Sequence, residues 1–449
     1  MEYDEKKLLA KANKPLEVAS ALHKHYKGKI SVSPRCRIKD LHDFDVWYTP
    51  GVASPCREIH KNPELAYEYT CKWNTVAVIS DGTRVLGLGD IGPEAAIPVM
   101  EGKSLLYKYL GGVDSYPICL DTRDPEVFID AVKLLQPALG GVNLEDIAQP
   151  KCFYILERLR KECRIPVWHD DQQGTAAVTL AGLINALKIV NKDIGKVRIV
   201  FLGAGAANIR TSDMIFQAGA DSGRCVMYDS KGSLNRRRKD LETNTRFHEK
   251  WRMCTITNAQ GFEGPVWEAL KNADVLIALS KPGPGTVKKE WISAMGKDSI
   301  VFACANPVPE IWPWEAKEAG ARIVATGRSD FPNQVNNSLG FPGIFRGTLD
   351  VRASTITDEM CIAASAELAK TAEDRGLHED YIIPTMEEWE VFPREATAVG
   401  MKAIEQGIAK TVMAPEELYK LSETIIREAR EAVKILMREG VIKGIDKEF

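Results

Sequence analysis

The sequence predicts an α/β protein in two parts: an N-terminal α/β domain followed by a doubly wound parallel sheet, with a helical C-terminal segment behind them. Three observations carry this. At 449 residues the chain exceeds what one ordinary hydrophobic core covers, so two main domains are expected. From Thr75 onward short apolar runs alternate with helix-spaced stretches, and after Val197 the alternation becomes regular, as a parallel sheet with helical crossovers requires. A glycine loop, Gly203-Ala-Gly205, stands between an apolar strand and a helix. The resulting division is 1–172, 173–396 and 397–449.

Composition narrows the function. Hydrophobic residues at 45% and charged residues at 27% are ordinary for a globular chain, which excludes disorder. A formal charge of -3 and a pI near 6.2 give no field that would gather nucleic acid or an anionic membrane surface. No apolar run approaches the roughly 20 residues of a bilayer span. Ten cysteines without a CxxC pair, and no apolar leader, match a reducing cytoplasm. Partners are therefore expected to be small molecules or a second copy of the chain.

Element by element, Glu2 to about Tyr26 spaces Leu8, Leu9, Leu16, Val18 and Leu22 among charges, the pattern of short amphipathic helices. Tyr48-Thr-Pro-Gly51 reads as a turn. Thr75–Ile79 and Arg84–Leu86 flank an Asp-Gly, a hairpin signal, and helical spacing returns from Ile97 to about Leu110. Tyr116–Asp121 reads as a strand, Glu126–Leu135 as a helix, and Gly141–Ile147 as a strand running into an acidic loop. A helix over Cys152–Cys163 and a strand over Ile165–His169 follow, the strand delivering Asp170 and Asp171 at its end. A long apolar helix from Thr175 to Val190 leads into strands at Val197–Leu202, Cys225–Tyr228, Val275–Leu279, Ile300–Ala303 and Ile323–Ala325. The tail from Glu416 to Met437 is helical at a 3.6 period.

Two glycine loops compete for a phosphate-binding role. Gly87-Leu-Gly89-Asp-Ile-Gly92 is a literal GxGxxG, but it follows the return arm of the expected hairpin, and Pro93 marks a turn. Gly203-Ala-Gly205-Ala206 follows a clean strand and opens a helix, so its backbone N–H groups can face a pyrophosphate. About 20 residues on, a second strand ends in Asp229, placed to accept from ribose hydroxyls. This is the pattern of a Rossmann-type dinucleotide-binding domain. Asn208 stands where Gly or Ala is usual. Asp229 favours NAD slightly over NADP, whereas Lys231 and the basic run Arg236-Arg237-Arg238-Lys239 favour a 2′-phosphate.

Glu145-Asp146 and Asp170-Asp171 each end a predicted strand, where loops of an α/β domain gather ligands. Carboxylates brought together repel unless a cation or protons neutralise them. Oxygen-only donors favour Mg²⁺ or Mn²⁺ over Zn²⁺. His169 is a further possible ligand, although a lone strand histidine is more often structural. No cysteine or other histidine has zinc spacing, and no GxSxG nucleophile elbow is present.

Taken in order, Tyr48-Thr-Pro-Gly-Val-Ala53, Gly87–Gly92 through Met100-Glu-Gly-Lys103, Asn143-Leu-Glu-Asp-Ile147, His169-Asp-Asp-Gln-Gln-Gly-Thr175, Gly203-Ala-Gly205, Ala305-Asn-Pro307 and Asn336-Asn337 with Phe341-Pro-Gly343 resemble the motifs of the malic enzymes. The resemblance runs from about residue 20 to residue 360. It implies oxidative decarboxylation of malate to pyruvate and CO₂ with reduction of NAD or NADP, a divalent metal, and a homodimer to whose interface the first helices contribute. By resemblance Tyr48 matches the general acid and Lys103 the general base, which also touches substrate. Glu145, Asp146 and Asp171 match the metal ligands, with Asp170 a supporting carboxylate. Gly203, Gly205, Ala206, Asp229 and Asn306 match cofactor contacts. Asn306, Arg84 and at least one of Asn336 and Asn337 match substrate contacts.

These residue types suit the reaction. A base at the C2 hydroxyl must be neutral, so a lysine there needs burial or nearby cations to lower its pKa from about 10.4. Taken alone, Tyr48 is a turn-packing aromatic and Lys103 a surface charge; the ordered motifs give them chemistry. Competing readings are a malate-to-lactate converter on the same site, a cofactor-sensing scaffold without catalysis, and an amino-acid dehydrogenase, which would not need the acidic cluster.

Overall fold

The computed structural model describes residues 5–328 and 330–445. Glu2 to Asp4, the start of the expected N-terminal helix, lie outside the described residues.

The first sheet has four parallel strands in the order β2-β1-β3-β4, formed by β1 (Thr75–Ser80), β2 (Asp114–Cys119), β3 (Gly141–Leu144) and β4 (Val167–His169). The second has six strands in the order β10-β9-β8-β5-β6-β7. These are β5 (Ile199–Leu202), β6 (Cys225–Asp229), β7 (Gly232–Ser233), β8 (Val275–Ala278), β9 (Ile300–Ala303) and β10 (Ile323–Thr326), all parallel except β7. Central strands such as Val76-Ala-Val-Ile79 and Val275-Leu-Ile-Ala278 are continuous apolar runs, fully buried, because helices cover both faces of a parallel sheet. In the second sheet β5 leads to β6 on one side, and the chain then crosses to β8 on the other. The strand order therefore switches direction between β5 and β8, which opens a crevice at their carboxyl ends.

The expected hairpin does not form. β1 is paired in parallel on both edges, with β2 and β3, so no edge is left for a return arm. Instead Asp81 accepts from the Thr83 N–H (3.0 Å) and hydroxyl (2.6 Å), and residues 81–92 wind as a loop with a single Val85–Gly89 bridge. Pro93 is not a mere turn residue: it is the first residue of the helix Pro93–Gly111, where its missing N–H costs nothing and its fixed φ fits. The long helix likewise starts earlier than the apolar pattern suggests, at Asp170, and runs to Ile189. The N-terminal stretch is one helix, Glu5–Tyr26, rather than several, with Pro15 accommodated inside it.

Helix Asp170–Ile189 leaves β4 and packs on the helices Ala206–Gln217 and Asp358–Arg375. After β10 the chain returns: helices Phe341–Asp350 and Pro415–Arg438 pack on the 93–111 helix, with Val391–Glu405 between them. Fully buried Arg346 ties this layer together, pairing with Asp350 at 2.6 Å and donating to Asn74 at 2.5 Å, while Ser422 donates to Asp350 at 2.7 Å. All ten cysteines are free thiols. Among the described residues no helix is long and apolar enough to cross a membrane.

Candidate active site

The carboxyl ends of β3 and β4 face those of β5, β8 and β9 across a cleft of about 1470 Å³. Both candidate chemistries meet there: the acidic cluster and Lys103 line one wall, the 203–207 loop the other.

Glu145 and Asp146 follow β3 and are buried, Asp146 in the left-handed region with φ of 54°. That bend turns its backbone carbonyl to accept from Arg84 N at 3.0 Å and its Oδ1 to accept from Leu86 N at 3.3 Å. Asp171 lies in the first turn of the 170–189 helix, where the positive end of the helix dipole favours a carboxylate. Its Oδ2 accepts from Asp146 N at 2.8 Å. One carboxylate oxygen from each of Glu145, Asp146 and Asp171 lies within 4.8 Å of the others, and buried Asp146 Oδ2 has no hydrogen-bond partner. Burial first, and repulsion from Asp171 next, push Asp146 up to about 8. Burial and neighbouring carboxylates likewise raise Glu145, against the pull of Lys103. Three crowded carboxylates, raised by each other and left with an unsatisfied oxygen, fit a divalent cation with oxygen ligands. His169 is outside this group: its ring is fully buried, with Nδ1 3.6 Å from Asp171 Oδ2, and burial holds it neutral, down to about 3.

Asp170 serves differently from its neighbour. It is fully buried, and its Oδ2 accepts from both Lys103 Nζ and the Asn337 amide. Gly174, one turn on, makes room for it, because a Cβ there would overlap Asp170 Oδ1. Lys103 projects from the 93–111 helix with Nζ 2.7 Å from Glu145 Oε1 and 4.5 Å over the Phe341 ring. One turn further, Tyr107 donates to Asn143 Oδ1 at 2.9 Å, and Asn143 donates to Glu145 Oε2 at 2.9 Å, fixing the carboxylate that Lys103 touches. The charge state of Lys103 differs from the sequence expectation. Burial does press its pKa down, but Asp170 and Glu145 outweigh it and hold the ammonium above its ordinary value; the neighbours are anions, not cations.

On the opposite wall Gly203 has φ of 104°, and a Cβ there would strike Leu279 O, so glycine is required. Gly205 caps and Ala206 opens the helix Ala206–Gln217, and a Cβ at Gly205 would meet only open space. Asn208 is explained: it donates to Leu202 O at 3.1 Å and Gly203 O at 2.8 Å, pinning the loop where the usual pattern relies on close packing. Asp229 ends β6 at the cleft, but Arg238 grips it through both oxygens, at 2.9 and 3.0 Å, and Lys250 lies 3.6 Å away. The rest of the basic run is occupied, Arg236 on Thr255 O, Arg237 on Glu263 and Lys239 on Glu242.

Arg84 is exposed on the cleft wall; burial raises Asp171, and the charges of Lys103 and, more weakly, Arg84 oppose that rise. Asn306 faces the cleft with its amide over Gly327. Asn336 and Asn337 both line it, but Asn336 is engaged by backbone, donating to Gly327 O (2.8 Å) and accepting from Ser338 N (3.0 Å), whereas Asn337 contacts Asp170. Tyr48 is not brought to the cleft. It is 70% exposed, at the end of the helix Asp43–Trp47, which with Ala53–Lys61 has no buried residue. Asn143, Gly174 and Phe341 stand inside the quoted motifs but had no role assigned, and Tyr107 lay outside them. A partial signal existed for Tyr107, one helical turn from Lys103.

Comparison with known proteins agrees with this geometry. Residues 27–160 match the family model described as malic enzyme, N-terminal domain, and residues 172–404 the one described as malic enzyme, NAD binding domain. The bifunctional malic/malolactic enzyme of Bacillus subtilis (strain 168) is 48% identical over 414 residues, 92% of this chain and 99% of the relative. The NADP-dependent malic enzyme of Halomonas elongata is 44% identical, over 87% of this chain and 94% of the relative. The crystal structure of Entamoeba histolytica malic enzyme superposes with a TM-score of 0.97 at 51% identity, covering 99% of this chain and 93% of that one.

Proposed function

The chain belongs to the malic enzyme family, and from that premise we propose how its cleft oxidatively decarboxylates malate to pyruvate and CO₂ while reducing NAD or NADP. The observation that carries the proposal is the meeting of Lys103, Asp170 and three convergent carboxylates opposite a dinucleotide loop in one cleft.

Glu145, Asp146 and Asp171 hold the divalent metal, Mn²⁺ or Mg²⁺. When bound, the cation polarises the substrate hydroxyl and relieves the anionic field that keeps the Lys103 proton in place. Lys103 Nζ takes the C2 hydroxyl proton, with Asp170 orienting the amine. Gly203, Gly205 and Ala206 would seat the pyrophosphate of the dinucleotide, whose nicotinamide would supply the hydride acceptor for C2. Arg84 and Asn306 bind substrate carboxylates, and Asn337, through Asp170, joins that wall to the base. Tyr48 donates the proton that converts enolpyruvate to pyruvate. Asp229 is saturated by Arg238, so the ribose end discriminates weakly, and both cofactors are used, with NAD slightly preferred.

The relative named for malic and malolactic activity favours a second reading, malate to lactate on the same residues. One assay separates them. With malate and either cofactor, pyruvate and reduced cofactor should accumulate in equal amounts; lactate without net reduced cofactor would replace the first reading by the second.

A further element concerns assembly. Leu41, Phe44, Val46, Trp47 and Tyr48, on and beside the helix Asp43–Trp47, are all exposed, more apolar surface than a water-facing segment of this length carries. We assign this face to a second copy of the chain, a homodimer in which each copy brings Tyr48 to its partner's cleft. Light scattering at micromolar concentration should give twice 49.8 kDa; a monomer that turns over at the full rate contradicts the assignment. The free thiols suit the cytoplasm, where we place the enzyme.

A further inference from the structure

Glu310 takes no part in the chemistry above, yet it joins the two loops on which the cofactor and substrate rest. It is fully buried. Its Oε1 accepts from Ser280 N at 2.8 Å and from the Ser280 hydroxyl at 3.1 Å, and its Oε2 accepts from Ala305 N at 3.0 Å. Ser280 follows β8 and Ala305 follows β9, and both line the cleft beside Asn306. The backbone reinforces the link: Val287 N donates to Glu310 O at 3.1 Å and Gly283 N to Val308 O at 3.2 Å.

The need for such a link follows from the fold. Within the sheet, β8 and β9 bond to each other through Ala278 and Ala303. Leu279 N and Cys304 N still donate to strand carbonyls, Leu202 O at 3.0 Å and Ala278 O at 2.9 Å, but one residue further on the chains diverge to open the crevice, and Ser280 N and Ala305 N turn to Glu310 instead. Buried donors of this kind need an acceptor. A carboxylate supplies acceptors only, and its two oxygens reach both loops at once.

The arrangement is costly as a purely structural device. Among the described residues no cation is paired with Glu310, and its near titratable neighbour, the buried Cys304 thiol, is raised well above its ordinary value and neutral. Burial raises Glu310 to about 7, against the pull of the three donors. A group whose folded pKa is raised above its unfolded value costs stability as pH rises toward that value. A neutral side chain of the same shape removes this cost, so the charge is best explained by what it holds in place.

We propose that Glu310 is a positioning residue that clamps the Ser280 loop to the Asn306 loop and so sets the floor of the cofactor site. This rests on the functional reading given above. Glu310→Gln keeps the volume but turns an amide donor toward one of the two backbone N–H groups, breaking one arm of the clamp.

The test titrates wild type and Glu310→Gln with NADH and NADPH, followed by nicotinamide fluorescence, alongside thermal melts and steady-state kinetics. The expected result is a cofactor Kd and KM weakened roughly 10-fold, the loss typical of one charge-assisted hydrogen bond. The melting midpoint should stay within about 3 °C of wild type, because relief of the buried charge offsets the lost contact. Glu310→Asp, one methylene short of spanning both loops, should also fold and bind weakly. Equal cofactor affinity in the variants overturns the clamp, as does failure of both to fold, which makes Glu310 a plain structural residue. A wild type that binds neither cofactor overturns the functional reading and the clamp together. Normal wild-type binding with unaffected variants overturns the clamp alone.

Discussion

Exhaustive chelation should abolish turnover, and Mn²⁺ or Mg²⁺ should restore it. The expectation comes from a balance of charge: Glu145, Asp146 and Asp171 bring oxygens within 4.8 Å of each other, and among them Asp146 is raised to about 8 by burial and by its neighbour. Crowding of this kind is uphill without a cation. Asp171→Ala removes a ligand and a repulsion together, so it should eliminate activity while the protein stays folded. The same charges fix a pH signature in the metal-free protein. Carboxylates whose folded pKa is raised make the folded state hold protons more tightly, so stability is highest below their ordinary range near 4 and falls as pH rises toward 8. The melting midpoint of chelated protein should therefore drop between pH 5 and 8, and added Mn²⁺ should raise it most at the upper end. Full activity after chelation would remove the metal assignment.

Separating the two proton-handling residues gives the second large effect. Lys103→Ala should lose malate oxidation, because hydride leaves C2 poorly while the oxygen keeps its proton, and added amines should restore part of the rate. Tyr48→Phe should keep hydride transfer but lose the donor to C3, lowering overall turnover by roughly 10²–10⁴. Proton exchange at C3 of pyruvate should vanish in this variant, and cofactor binding should persist in both. Exchange at the wild-type rate in Tyr48→Phe means that Tyr48 is not the acid. Mixing the two inactive variants adds a geometric test. If Tyr48 serves the partner's cleft, mixed dimers contain one intact site, and activity should recover to about a quarter of wild type. No recovery on subunit exchange means that Tyr48 acts within its own chain.

Much of this was legible in the sequence because parallel sheets expose their grammar. The central strands are uninterrupted apolar runs, and each acidic or glycine-rich ligand loop follows one directly, so Glu145, Asp146, Gly203 and Asp229 fall into place from the alternation alone. Asp170 and Asp171 do follow the strand that ends at His169, but they already open the next helix, whose first turn of buried polar residues, Asp170, Gln172 and Gln173, carries no apolar period to announce it. The hairpin reading failed for a non-local reason: Asp81-Gly82 is a good turn, but which strands flank β1 is decided by residues 114–119 and 141–144. Gly174 meets Asp170 within one helical turn, whereas the contacts of Glu310 with Ser280 and of Asn143 with Tyr107 were invisible for the same cause. Each acts on atoms brought near only by tertiary packing, and Asn208 looked like a defect until its amide was seen holding Leu202 and Gly203.

The passed-over glycine loop has a mechanical meaning. At Gly87 a Cβ would stand 2.5 Å from Asn306 O and 2.6 Å from Pro282 Cγ, so on its own side of this contact the wall that carries Glu145, Asp146 and Asp171 offers no side chain to the wall that carries the dinucleotide loop. That contact is a spacer of zero thickness: any residue larger than glycine would act there as a wedge, because its first carbon has no room between the 81–92 loop and the Asn306 and Pro282 loops.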